Sequence, residues 1–195
     1  PAAVGAGVLA ADIIRVLFER GAFTSADTEA TALALVIYAA GLPAFVLIKV
    51  FQPAFFARED TKTPLRFAAI SIAVNIVASF ALFFYFGFAG IATGTTLAAW
   101  VNAGQLGARL YARGEFAPDA MLARRLPLIL LASGGMGAAL WFGAEALTPF
   151  FEDDLLTSIG ALALLIAGGV LVYFFLCQVT GAVRLGDLRR AFTRS

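Results

Sequence analysis

Between Leu126 and Ala144, and again between Leu155 and Val183, the chain carries no charged side chain. A soluble helix of that length keeps a polar stripe toward water. A segment apolar on every side is instead suited to lipid, where about 20 apolar residues in helical form cross the hydrocarbon core. Five segments reach that length: about 30–57, 64–86, 89–111, 126–147 and 155–182. A sixth, 1–18, approaches it and carries Asp12 and Arg15. The runs are rich in Ala and Leu and lack alternating polarity, which excludes a β-barrel reading. The residues are 61% hydrophobic and only 14% charged. A soluble domain carries about 25% charged residues, so the apolar excess is more than one soluble core would bury. The expected fold is all-α, a polytopic transmembrane helix bundle.

The basic residues fall almost entirely in alternate gaps between these segments. Arg58, Lys62 and Arg66 occupy one gap, and Gly87-Phe88-Ala89, the next, is uncharged. Arg109, Arg113, Arg124 and Arg125 follow, then the acidic Glu145, Glu152, Asp153 and Asp154. The tail is basic again, with Arg184, Arg189, Arg190 and Arg194. Basic loops are retained on the cytoplasmic side. Of the 14 basic residues, all but Arg15, Arg20 and Lys49 lie in the basic gaps and the tail. This bias predicts a cytoplasmic C-terminus and, with six spans, a cytoplasmic first residue.

Several function classes drop out. There is no His, the commonest general base and metal ligand. The single Cys177 leaves no internal disulfide and no Cys-based zinc site. It is expected to be a buried or lipid-facing small hydrophobe. No Ser has an adjacent base and no span holds paired carboxylates, so an intramembrane enzyme is not expected. A net charge of +1 gives no field for nucleic acid. The local basic clusters instead lie where anionic headgroups of membrane lipids would meet them. The chain opens inside an apolar segment with no basic n-region, as expected of a piece whose N-terminal part is missing.

The loops have their own chemistry. Thr24-Ser25-Ala26-Asp27 predicts a helix start, capped by Thr24 or Ser25, with Asp27 and Glu29 favoured by the helix dipole. Arg58-Glu59-Asp60-Thr61-Lys62-Thr63-Pro64 predicts a compact charged turn, with Thr63 as N-cap ahead of Pro64 in the first turn. After Gly181, Leu185, Leu188 and Phe192 share a helical face, which predicts a short amphipathic helix on the inner leaflet. A solvated tail is the alternative.

Several stretches together resemble one family. They are Leu17-Phe18-Glu19-Arg20-Gly21-Ala22-Phe23-Thr24, Tyr38-Ala39-Ala40-Gly41-Leu42-Pro43, Lys49, Phe55-Phe56-Ala57-Arg58-Glu59-Asp60-Thr61-Lys62-Thr63-Pro64, Gly87-Phe88-Ala89-Gly90-Ile91-Ala92 and Asn102. In this order they are similar to the C-terminal part of the bacterial lipid II flippases (the MurJ/MviN family), within the multidrug/oligosaccharidyl-lipid/polysaccharide exporter superfamily. The resemblance implies a larger two-lobe transporter of about fourteen helices, of which these would be the last six. Residues 1–113 would be part of the C-terminal lobe. Residues 114–182 would be two extra transmembrane helices, and 183–195 a basic cytoplasmic tail. The implied partners are a lipid-linked peptidoglycan precursor and the missing N-terminal lobe, in the bacterial inner membrane. The implied activity is export of that precursor by alternating access, without enzymatic chemistry. The alternative is another exporter of the superfamily, for a polysaccharide repeat unit or a drug.

Candidate site residues follow. Lys49 is the one basic residue deep in a later span. An ionisable group there faces a cavity or a partner, or runs its stem to the interface. Its functional reading is contact with the substrate pyrophosphate or with an acidic partner across the lobes. The resemblance also implies a candidate sodium site of Asn75, Ser79, the Ile91 carbonyl and Thr95. A hard cation needs such oxygen ligands. Ser79 stands where the family pattern has an Asp, so the charge that would compensate a cation is missing. Interhelical hydrogen bonding is the competing role. No other cofactor or metal is expected. Asn102 and Gln105 are expected to be packing contacts or headgroup contacts. Ser133-Gly134-Gly135-Met136-Gly137 and Gly168-Gly169 allow close helix approach, and the resemblance implies an apolar groove for the lipid tail between the last two helices. Gly41, Pro43 and Pro53 are candidate bending points.

Overall fold

A computed structural model describes residues 1–116, 119–151 and 154–181. The expected tail helix (183–195) and, in the acidic gap, Glu152 and Asp153 lie outside these residues. Every described element is helical: α1 (Ala2–Val8), α2 (Ala10–Phe18), α3 (Ser25–Phe56), α4 (Lys62–Phe86), α5 (Phe88–Ala112), α6 (Ala120–Ala146), α7 (Thr148–Phe151) and α8 (Leu155–Thr180). Among the described residues α3, α4, α6 and α8 are long and apolar enough to cross a membrane. α5 has the length, but Thr93, Thr95, Thr96, Asn102 and Gln105 dilute its apolar content. The first apolar stretch is interrupted at Leu9, although backbone bonds from Leu9 N to Gly5 O (3.0 Å) and Ile13 N to Leu9 O (2.8 Å) run through the break.

The helices form two compact units. One comprises α3, α4 and α5. α3 starts at a capping box: Thr24 Oγ1 accepts from Asp27 N, and Asp27 Oδ2 accepts from Thr24 N at 2.9 Å. This satisfies two of the first-turn donors. Thr24 is therefore the cap, as its sequence position predicts. Gly87, at φ 56, makes the tight reversal between α4 and α5 that a side chain would strain. Gly90 and Gly94 then bring α5 against α4 backbone. A Cβ on Gly94 would lie 2.6 Å from Ser79 N, and one on Gly90 2.7 Å from Phe83 N.

α3 and α5 run parallel, and their contacts pair matching levels. Ala44 packs with Ala99 and Ala103; farther along, Phe51 and Phe55 pack with Leu106 and Leu110. α5 side chains also donate to α3 carbonyls around Pro43: Thr96 Oγ1 to Ile37 O at 2.9 Å and Trp100 Nε1 to Ala40 O at 3.1 Å. In an apolar medium, backbone near a helix proline depends on such donors.

The other unit comprises α1, α2, α6, α7 and α8, around a core of Leu9, Val16, Met136, Leu140, Phe151 and Leu165 among others. α6 and α8 meet through glycine notches. Gly135 would place a Cβ 2.7 Å from Leu176 Cδ1, Gly143 2.9 Å from Leu165 Cδ2, and Gly169 2.8 Å from Leu140 Cδ2. Gly137 receives Val4 of α1 instead, while Gly134 and Gly168 have open space. Side chains fill the α6–α8 seam, and a wide groove of about 800 Å³ lies on the α1–α2 side of α6, lined by Val4, Val8, Gly137 and Trp141. Cys177 is buried against Ala132, an apolar packing role.

Candidate functional site

The four sequence-predicted oxygen donors do come together. Asn75 and Ser79 lie one turn apart on α4, and α5 approaches closely enough at Gly94 to bring Ile91 and Thr95 beside them. Ser79 Oγ donates to Asn75 Oδ1 at 2.9 Å and lies 3.4 Å from Ile91 O. Thr95 Oγ1 lies 3.1 Å from Ile91 O and 3.3 Å from Asn75 Oδ1. The two hydroxyls thus bond to the same two carbonyl oxygens.

This donor set fits a cation poorly. All four contributors are neutral, and each hydroxyl proton already sits between oxygens of the cluster. A cation in low dielectric needs a compensating charge, and Ser79 offers a hydroxyl in place of a carboxylate. As arranged, the cluster is a hydrogen-bonded clamp between α4 and α5.

Lys49 is exposed on α3, between Phe45 and Pro53, one turn away on either side. Val46 and Val50, beside it, are also exposed. Pro53 has no N–H to give the Lys49 carbonyl, so this turn carries both a cation and a freed backbone acceptor. Asn102 faces a pocket shared by α3, α4 and α5, while Gln105 Nε2 donates back to Val101 O at 3.3 Å.

The charged turn is compact, as predicted, but is capped differently. Thr63 is not the N-cap: α4 already begins at Lys62, and Thr61 in the cap position makes no side-chain bond. Asp60 Oδ1 accepts from Thr63 N at 3.1 Å instead. A carboxylate is the stronger acceptor at a helix start, and Glu59 at φ 57 turns the chain so that Asp60 arrives there.

Sequence reading missed the partner of this turn. The end of α3 reads Phe55-Phe56-Ala57-Arg58-Glu59-Asp60, and the end of α5 reads Leu110-Tyr111-Ala112-Arg113-Gly114-Glu115. Both close with the same bond pattern. Asp60 N donates to Phe55 O at 3.1 Å and Glu59 N to Phe56 O at 3.0 Å; Glu115 N donates to Leu110 O at 3.0 Å and Gly114 N to Tyr111 O at 2.9 Å. These are paired Schellman closures with a left-handed residue at Glu59 and Gly114. Because the helices are parallel, each arginine reaches the other's acid. Arg113 Nη2 meets Asp60 Oδ2 at 2.7 Å, and Arg58 Nη1 meets Glu115 Oε1 at 3.1 Å. Arg113 also stacks over Phe55, 5.4 Å from the ring centre, and Phe51 meets Phe116 edge-on at 5.5 Å. The Arg113 hydrogen bond, with a second from Thr63 N, holds the Asp60 carboxyl down to about 2. The signal was present in the sequence as a repeated Ala-Arg-x-acid at two helix ends.

Long apolar helices whose polar side chains gather between them define an α-helical integral membrane protein. The lipid II flippase MurJ family model matches residues 1–160. The chain is 44% identical over its full length to a probable lipid II flippase MurJ of Rhizobium tropici, and 42% identical over its full length to that of Rhizobium meliloti. It is 32% identical over 98% of its length to the one from Vibrio cholerae. This chain belongs to the lipid II flippase MurJ family. It spans 37% of the length of the two Rhizobium relatives and 36% of the Vibrio one.

Proposed function

We propose that this chain forms the C-terminal portion of a flippase moving undecaprenyl-pyrophosphate-linked peptidoglycan precursor outward across the bacterial inner membrane by alternating access. The observation that carries this reading is the 44% identity, sustained over the whole chain, with a relative named for that activity. The helical architecture supports it. In this reading α3, α4 and α5 belong to the C-terminal lobe, α6 and α8 are the two helices that follow it, and an N-terminal lobe completes the cavity. The bias of basic residues supports a cytoplasmic C-terminus, which puts the Arg58–Asp60 turn and the Arg113–Glu115 turn at the cytoplasmic end.

Lys49 is the residue we assign to the substrate's pyrophosphate. Its exposure on an otherwise apolar face of α3 supports contact with something beyond this unit. The groove beside α6 offers a polyisoprenoid tail an apolar wall of Val4, Val8, Ala138 and Trp141, with Asp12 and Glu145 also in its lining. The Asn75–Ser79–Ile91–Thr95 cluster serves as a clamp between α4 and α5, and coupling through sodium at this cluster is not part of the reading.

Complementation tests the assignment. The full-length protein carrying this segment is expressed in a bacterium depleted of its own flippase. Growth and wall synthesis are expected to return. A protein that inserts in the membrane without restoring growth overturns the lipid II assignment. In the same assay Lys49→Ala is expected to impair rescue while Lys49→Arg retains part of it. Full rescue by Lys49→Ala would leave Lys49 as an interfacial side chain only.

A further inference from the structure

We propose that the groove beside α6 holds a membrane phospholipid with a primary ammonium headgroup, its acyl chain on the apolar wall and its ammonium at Asp12 and Glu145. The groove measures about 800 Å³, within the range of about 300–1,000 Å³ usual for small-molecule sites. Two stripes at helical spacing form its walls. Val4, Val8 and Asp12 follow one another along α1 and α2, whose backbone bonds run on through Leu9. Gly134, Ala138, Trp141 and Glu145 follow one face of α6. Each stripe runs from small or apolar residues to a carboxylate. That is the outline of an amphiphile with a cationic head.

The lining selects the headgroup. It contains two carboxylates and no cation. Glu145 is exposed, one residue before the end of α6, where the helix dipole disfavours an acid. Its carboxylate makes no ion pair or hydrogen bond among the described residues. Helix stability therefore does not account for it. A primary ammonium gives such carboxylates charge-assisted hydrogen bonds. A quaternary ammonium has no N–H to donate, and an anionic headgroup is repelled. Arg15 lies 3.9 Å from Asp12, a cation within reach of the phosphate that adjoins the ammonium in such a lipid. Trp141, one turn before Glu145, is exposed, and Trp is a residue type favoured at headgroup level. This lipid is not the flippase's substrate, so the inference stands apart from the proposed activity. An isoprenoid tail using the same wall would displace it.

Fluorescence quenching at Trp141 tests it on the full-length protein reconstituted in phosphatidylcholine vesicles. The probes are dibrominated phosphatidylethanolamine, phosphatidylcholine and phosphatidylglycerol, whose bromines quench an indole beside them. The Trp141 signal is the difference between each protein and the same protein carrying Trp141→Phe. Relative binding at Trp141 is expected to be about fivefold higher for the ethanolamine lipid than for the glycerol lipid, with the choline lipid between them. Glu145→Gln should bring that ratio down to about twofold, and Asp12→Asn/Glu145→Gln should bring it to about one. Equal quenching by the ethanolamine and choline lipids overturns the proposal, because the primary ammonium then counts for nothing. So does a preference that survives in Asp12→Asn/Glu145→Gln. Should the double variant fail to fold, Glu145→Gln, at an exposed position, decides.

Discussion

Arg113 Nη2 lies 2.7 Å from Asp60 Oδ2, joining the end of α5 to the turn that follows α3. The partner pair, Arg58 with Glu115, repeats the contact in the opposite sense. Two parallel helices are thereby tied at one end by charges that each takes from the other. α4 joins the arrangement through Asp60, whose second oxygen caps its first turn. One carboxylate thus links the ends of α3 and α5 to the start of α4.

Charge order in this latch should matter more than charge content. Asp60→Arg alone and Arg113→Asp alone each place like charges together and are expected to lower the melting temperature of the full-length protein in detergent. The double variant Asp60→Arg/Arg113→Asp restores the attraction and should recover part of the loss, since the cap at Thr63 N and the stacking on Phe55 stay lost. Removing the more exposed arginine, Arg58→Ala, should cost about 1 kcal/mol or less, the usual worth of a pair with one partner in solvent. A double swap no more stable than either single variant would mean that the ion pair adds nothing beyond the Thr63 cap and the Phe55 stacking.

Acid should open the same latch. The Asp60 carboxyl titrates at about 2 in the fold, against about 3.9 in an unfolded chain. A depressed folded value means that the unfolded state takes up the proton first. The contribution of Asp60 is therefore complete above about pH 4 and is lost as the pH falls toward 2. Melting temperatures of wild type and Asp60→Asn should differ by a constant amount from pH 8 to pH 5. The difference should shrink below about pH 4. A difference that varied across neutral pH would contradict the assignment.

The two Schellman closures offer a matched pair of backbone tests. Glu59 adopts φ 57 with a side chain, whereas Gly114 adopts φ 70 without one. A left-handed residue with a Cβ costs about 1–2 kcal/mol. Glu59→Gly should therefore stabilise the protein, by about 1 kcal/mol once the greater freedom of glycine when unfolded is counted. Gly114→Ala meets no neighbour and should destabilise through φ alone, by about 1 kcal/mol. Denaturation of the two variants side by side decides it: equal signs would show that the turn conformations differ from those described.

The helices were legible because lipid imposes a length and an apolarity that composition records directly. The start of α3 was legible because Thr24 and Asp27 stand at capping-box spacing. The assembly of Asn75, Ser79, Ile91 and Thr95 followed from the family resemblance, and the glycines of α5 explain physically why it occurs. Thr63 was misread as a cap because a hydroxyl in the right place yields to a carboxylate that tertiary structure delivers. Arg58 and Asp60 registered as parts of one charged turn, and Arg113 as a topology label, with no pairing between them. Their pairing depends on two helices lying parallel, which local patterns do not encode. The repeated Ala-Arg-x-acid ending was the available clue. The break at Leu9 has no proline to announce it.

Close approach of α5 to α4 should make Gly94 intolerant of the smallest side chain. A Cβ there would press on Ser79 backbone, which cannot rotate away. Gly94→Ala is expected to cost about 3 kcal/mol, the upper range for overpacking. Gly104→Ala, on the same helix with nothing nearby, should be neutral or stabilising by up to about 1 kcal/mol. Comparable effects at the two positions would argue against the tight α4–α5 contact.

The neutral clamp between α4 and α5 makes a prediction about sodium. With no carboxylate among Asn75, Ser79, Ile91 and Thr95, wild-type protein should melt at the same temperature in sodium chloride and potassium chloride of equal strength. Its rescue of a flippase-depleted bacterium should not depend on sodium. Ser79→Asp introduces the missing charge beside Asn75 Oδ1, Ile91 O and Thr95 Oγ1, the kind of oxygen set a hard cation takes. That variant is expected to be less stable without sodium, because the new carboxylate is unpaired. It should regain stability as sodium is added, by about 2.7 kcal/mol when sodium reaches a hundredfold excess over its dissociation constant. Sodium-specific stabilisation of the wild type would show that the four neutral oxygens suffice and would overturn the clamp reading.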